Sequence, residues 1–169
     1  VASSAVVDGE DVELTTTANM HGWGAFYDAE NSYTVVGDTK VYIAVNVYDA
    51  NEVTLVNKTG NRVPKQCPVI LSTDNVQNDG TYSILLTKDA EPISYDGNDN
   101  LLMTSTAGVT VDNAYRLGYK AGENFGVAFY KWSSENPGAG IVYIKNPSNN
   151  SNAKISFVVN DNTTSLNTI

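Results

Sequence analysis

One cysteine and one histidine in 169 residues leave few ways to assemble a catalytic nucleophile, a general base or a metal site. Lone Cys67 rules out an internal disulfide and a Cys-based zinc cluster, so stability must come from burial and backbone pairing. It leads into the apolar run Val69-Ile70-Leu71 with only Lys65 nearby to favour a thiolate, and is expected to be structural. His21 has no second histidine with which to form a two-His metal site.

Positive charge is scarce as well. Ten Lys and Arg stand against 19 Asp and Glu, a net charge of -9, so a nucleic acid or an anionic membrane surface would be repelled. No run approaches the ~18 apolar residues of a membrane span. The first residues lack the basic and apolar regions of a signal peptide, and the chain is expected to be a piece of a longer precursor. Helical periodicity is nearly missing too, because Gly, Pro or Asn/Asp clusters interrupt every candidate stretch. Without a helix to open, no Gly-rich phosphate loop is expected either.

What the chain does contain is strand grammar. Segments rich in β-branched and aromatic residues cover about 12–18, 22–27, 32–36, 40–48, 52–57, 67–72, 81–87, 101–104, 109–111, 114–119, 125–132, 140–145 and 153–159. Turn residues such as Gly37-Asp38, Asn78-Asp79-Gly80 and Gly122-Glu123-Asn124 separate them. Short strands at this spacing mean a sandwich or a barrel, and the expectation is an all-β, antiparallel β-sandwich. One domain is expected over 1–160, with a polar tail or linker over 161–169.

The sequence also rhymes with itself. Gly24-Ala25-Phe26-Tyr27 leads into Lys40-Val41-Tyr42-Ile43, and Val127-Ala128-Phe129-Tyr130 leads into Ile141-Val142-Tyr143-Ile144. Each echo reads as a hairpin, and together they predict two related halves. Alternation then assigns faces: Val41, Ile43, Val45 and Val47 form the core side of their strand, with Tyr42, Ala44, Asn46 and Tyr48 opposite. Phe125, Val127 and Phe129 oppose Ala128, Tyr130 and Trp132, while Trp23, Ala25 and Tyr27 oppose Gly24 and Phe26.

A family likeness rests on Gly22-Trp23-Gly24-Ala25-Phe26-Tyr27, Val41-Tyr42-Ile43, the run from Val63-Pro64 to Leu71, Asn113-Ala114-Tyr115-Arg116-Leu117-Gly118, Val127-Ala128-Phe129-Tyr130-Lys131 and Ile155-Ser156-Phe157-Val158-Val159. On these segments the chain resembles the β-sandwich domains near the C-termini of secreted, multidomain proteins of gut and rumen Bacteroidetes, which include glycan-degrading enzymes and surface proteins. The resemblance implies a secreted or cell-surface location. It also implies a covalently linked catalytic domain in the parent protein, and the closing residues 162–169 look like a spacer before a sorting or anchoring tail.

Sugars present apolar C–H faces to planar rings and hydroxyls to polar side chains, so exposed aromatics beside polar loops are the natural candidates for a glycan site. Trp132, where Tyr130-Lys131-Trp132 runs into the polar Ser133-Ser134-Glu135-Asn136, leads. Trp23 follows, then Tyr130 and Tyr27 as extensions of the two platforms, and His21. The competing role for all of these rings is core packing.

Catalysis finds little support. Asp28 with Glu30 and Asp89 with Glu91 are nominal carboxylate pairs, but acidic residues at i and i+2 are the default of a solvated surface. Asp96-Gly97-Asn98-Asp99-Asn100 is the nearest approach to a calcium loop. It fails because Leu101 stands where an EF-hand needs Gly and Ala107 where it needs the bidentate carboxylate, and Asn160-Asp161-Asn162 is weaker still. No cofactor or catalytic residue is therefore expected. The expectation is a non-catalytic carbohydrate-binding module, accessory to a glycoside hydrolase, that tethers it to plant β-glucan or hemicellulose. Crystalline cellulose is disfavoured, since two Trp residues do not supply a coplanar row. The alternative is a structural spacer or surface β domain without its own ligand, and a third class is an adhesin using strand edges.

Overall fold

Runs of β-branched and aromatic residues, broken by Gly-, Asn- and Asp-bearing turns, produce an all-β chain. The structure is a computed structural model that describes residues 11–48, 52–122, 126–145 and 152–160. The expected tail over 161–169, Phe125, the turn residues Glu123 and Asn124, and Asp161-Asn162 lie outside the described residues.

The strands are β1 (Asp11–Thr16), β2 (Trp23–Phe26), β3 (Tyr33–Val35), β4 (Lys40–Tyr48), β5 (Glu52–Val56), β6 (Arg62–Val63), β7 (Val69–Ser72), β8 (Tyr82–Lys88), β9 (Leu102–Thr104), β10 (Val111–Lys120), β11 (Gly126–Ser134), β12 (Val142–Lys145) and β13 (Lys154–Val159). A single 3-10 turn, Ala18–Met20, precedes β2. No helix among the described residues is long and apolar enough to cross a membrane.

A four-stranded sheet runs β1-β8-β3-β6, and a nine-stranded one runs β2-β7-β4-β5-β13-β11-β10-β12-β9. The larger sheet is mixed rather than antiparallel throughout, because β13 pairs with β5 in parallel, Phe157 opposite Val53. A tight turn would force these strands antiparallel. Almost a hundred residues intervene here, so the chain can return in the same direction.

The large sheet curls into a half-barrel, and one core fills the curl. Tyr42, Ala44, Val53, Leu55 and Ile70 on one limb meet Tyr115, Phe129, Ile144 and Ile155 on the other. A second core lies between the small sheet and the outer side of β4 and β7, where Val41, Ile43, Val69 and Leu71 meet Tyr33, Val63, Ile84 and Leu86. Strand β4 is thus buried on both sides over Val41 to Ala44, and the sequence expectation that its core side is that of Val41, Ile43, Val45 and Val47 alone is corrected: Tyr42 and Ala44 are equally enclosed, while the side chain of Val47 lies outside the described residues. A strand covered on both faces loses the polar alternation that marks a solvated side.

Neither echo is a hairpin. β2 and β4 both pair with β7, and β11 and β12 both pair with β10, so each echoed pair sits astride a third strand. The central strand follows the first pair in the chain but precedes the second. The two arrangements are therefore not sequential copies of one unit.

The two strands expected over 109–111 and 114–119 form one strand, β10, that passes through a bulge. Its register against β11 shifts between Val111 and Ala114, with Asn113 at φ 55°. Asn tolerates the left-handed region, so the polar Asp112-Asn113 pair bends the strand without ending it.

Candidate functional site

Alternation along β11 turns Phe129 into the inner core and Tyr130 and Trp132 to the outer side of the half-barrel. Across the ladder, Ala114 lies opposite Trp132, Arg116 opposite Tyr130, and Gly118 opposite Ala128. The small Ala114 and Gly118 leave room for the Trp132 and Tyr130 rings. Trp132 is half-buried against Val111, Ala114 and Tyr143, its ring centroid 5.7 Å from that of Tyr143 at 45°. The Arg116 guanidinium lies over the indole, 5.4 Å from its centroid.

Beside Trp132, over the bulge, runs a groove of about 610 Å³ lined by Asp112 to Tyr115 of β10 and by Lys131, Trp132 and Ser133 of β11. It combines an indole with a carboxylate, an amide, an ammonium and a hydroxyl, the set of groups that saccharide recognition uses.

The other candidates fall elsewhere. Tyr130 shares the outer side with Trp132 but is buried. Its Oη donates to the Gly126 carbonyl at 2.5 Å, burial raises its pKa, and Lys120 Nζ stands 5.1 Å above its ring. It therefore supplies no free ring face for a two-ring platform with Trp132. Trp23 and Tyr27 do share a face, as alternation predicts, but that face is the inner core. The Trp23 centroid lies 5.9 Å from Tyr42 and 4.9 Å from Phe157, so the first platform is taken up by packing inside the curl. His21 is exposed, and its contribution is in the backbone: at φ 52° its N–H donates to Ala18 O and closes the 3-10 turn. The five residues therefore form no single site.

The nominal acid pairs are built as structural anchors. Asp28 is partly desolvated, which would raise its pKa. Hydrogen bonds from Tyr33 Oη and from the N–H groups of Glu30 and Asn31 outweigh that and hold it below the usual carboxylate range. Asp89 follows the same pattern: burial opposes ionisation, while Ser32 Oγ at 2.6 Å, Arg62 Nη2 at 2.6 Å and Thr34 Oγ1 at 2.8 Å hold it low. A general acid needs the opposite shift.

In the Asp96–Asn100 loop the side chains of Asp99 and Asn100 are also engaged. Asp99 accepts from Tyr95 Oη at 2.8 Å and pairs with Lys58 at 3.6 Å. The Asn100 side chain accepts from Leu102 N and donates to Pro68 O. Among the described residues no three His, Cys, Asp or Glu converge as metal ligands. Cys67 is buried, and burial pushes its thiol up to about 11.

Arg116, Lys131 and the Asp112-Asn113 bulge were not singled out from the sequence as parts of a site. The available signal was the alternation Ala114, Arg116, Gly118, Lys120, a solvent-side row with cations set between small residues. Compared with protein-family models, curated proteins and solved structures, the chain matches none of them.

Proposed function

We propose that the chain is a β-sandwich carbohydrate-binding module, itself non-catalytic, that tethers a parent polysaccharide-degrading enzyme to plant β-glucan or hemicellulose outside the cell. The observation that carries this reading is the groove at Trp132, where a half-buried indole is flanked by Asp112, Asn113, Lys131 and Ser133. The likeness of its segments to C-terminal domains of secreted Bacteroidetes proteins supports the same reading. Tethering raises the effective concentration of cleavable bonds near the catalytic domain, so even a weak single-ring site is useful.

A spacer without a ligand is the second reading. It is favoured by the use of Trp23, Tyr27 and Tyr130 in packing. Affinity electrophoresis through gels containing soluble glucans, xylans and mannans separates the two. The binding module is selectively retarded and its Trp132→Ala variant migrates freely, whereas uniform migration across the panel identifies the spacer.

A further inference from the structure

The distribution of charge narrows the ligand class. Residues 111–160 hold five of the ten Lys and Arg but only three of the nineteen acidic residues, so this segment is net +2 while the rest of the chain carries -11. The fold gathers three of those cations. Arg116 and Lys120 alternate along the solvent side of β10, and Lys145 of β12 pairs with Ala114 on the same side, whereas Lys131, opposite Tyr115, stands on the other face of the sheet. Among the described residues, Arg116, Lys120 and Lys145 have no carboxylate partner, whereas Lys58 pairs with Asp99 and Arg62 with Asp89 in the other half of the chain. In a chain with nearly twice as many acids as bases, three exposed and unneutralised cations on adjacent strands, Arg116, Lys120 and Lys145, form a distinct surface.

Arg116 also changes what the indole offers. A sugar stacking on the side of Trp132 that carries the guanidinium would have to displace it. Held over the ring, however, the planar fork keeps its N–H edge free for a carboxylate, and the stacking lowers the entropy lost on binding.

Resting on the glycan-binding reading above, we infer that the groove recognises an acidic polysaccharide. A uronate carboxylate is taken by Arg116 and Lys145, which share the outer side with Trp132, while Trp132 and the groove's Asn113 meet the sugar ring and its hydroxyls. Among hemicelluloses this selects glucuronate-substituted xylan, and it disfavours neutral β-glucan.

The test uses the full chain in gels containing polygalacturonate, the same polymer with most carboxylates methyl-esterified, glucuronoxylan, or neutral β-glucan. The variants are Arg116→Gln, Arg116→Lys, Lys145→Gln and, as a charge control far from the groove, Lys40→Gln. All three positions are exposed, so circular dichroism should report an unchanged fold. Expected is retardation by the two acidic polymers, with apparent Kd raised about 10-fold by Arg116→Gln or Lys145→Gln, less by Arg116→Lys, and not by Lys40→Gln. Esterification and added salt should both release the protein. Equal retardation by neutral or esterified polymer, with Arg116→Gln unaltered, overturns the acidic ligand and leaves glycan binding standing. Free migration in every gel overturns both. Binding to duplex DNA as tight as to polygalacturonate overturns the saccharide in favour of a bare polyanion surface.

Discussion

Trp23 and Phe157 meet edge to face, their centroids 4.9 Å apart at 69°, although three strands separate β2 from β13 in the sheet. Four interstrand steps would span about 19 Å in a flat sheet, so the contact exists only because the sheet curls upon itself. The pair fixes the half-barrel. It also explains why the best-placed aromatic of the first echo is not at the surface.

The two tryptophans should therefore respond differently to truncation. Trp23→Ala removes a ring from the inner core and is expected to cost about 3 kcal/mol, read as a lowered urea midpoint. Trp132→Ala, on the outer side, should cost roughly 1–2 kcal/mol yet abolish polysaccharide retardation. Equal destabilisation with retained binding would count against the placement of the site.

Acid should destabilise the fold through Asp28 and Asp89. Their folded pKa values lie below the usual one, so the unfolded chain binds more protons as pH falls. The stabilisation is fully present above about pH 4 and is lost as pH drops through the folded values. Asp89→Ala should cost about 2–3 kcal/mol at pH 7, because the buried Ser32 hydroxyl and the Arg62 guanidinium lose their acceptor. Asp89→Asn should flatten the acid limb in urea titrations taken from pH 7 to pH 2.

Alkali acts in the opposite sense through Cys67 and Tyr95, whose protons the folded state retains. The thiol is raised from 9.0 to about 11 by burial. The phenol is raised from 10.0 to about 12 by burial and by its bond to the Asp99 carboxylate. Between these limits the unfolded chain has already lost the protons, so stability falls as pH climbs above about 9. At pH 8 native Cys67 should alkylate about 100-fold more slowly than the same thiol in denaturant, and mass spectrometry of iodoacetamide-treated protein reads that ratio directly.

Two glycines in left-handed conformations separate strain from collision. Gly37 at φ 68° faces open space, and Gly37→Ala should cost about 1 kcal/mol. Gly22 at φ 87° lies against the Thr73 carbonyl, where an added Cβ would collide, while its own carbonyl accepts from Thr73 N. Gly22→Ala should cost about 3 kcal/mol or more and loosen β2 from β7, detectable as faster amide exchange at Thr73.

Much of the architecture was legible because strands announce themselves locally. The segment 40–48 matches β4 in full, and the opposition of Trp23 and Tyr27 to Phe26 follows from alternation alone. The two-residue β6, Arg62–Val63, was not legible, since two residues carry no periodicity. The bulge was seen as a polar interruption at Asp112-Asn113 and misread as a strand boundary, because a break in alternation looks the same in either case. The site was half legible. Trp132 stood out by its position before a polar loop, but the cation above it did not, since Arg116 is sixteen residues away and meets it only across the β10–β11 ladder.

Local composition by itself determined that the chain is all-β, which positions turn, which side of each strand carries the rings, and that neither a disulfide within the chain nor a two-His metal site can form. Tertiary structure alone decided which of those ring-bearing sides meets solvent. The curl that brings Trp23 onto Phe157 and leaves Trp132 outside, beneath Arg116, is set by contacts between strands distant in the chain. Side-chain alternation repeats every two residues and carries no information about which layer will cover a given face.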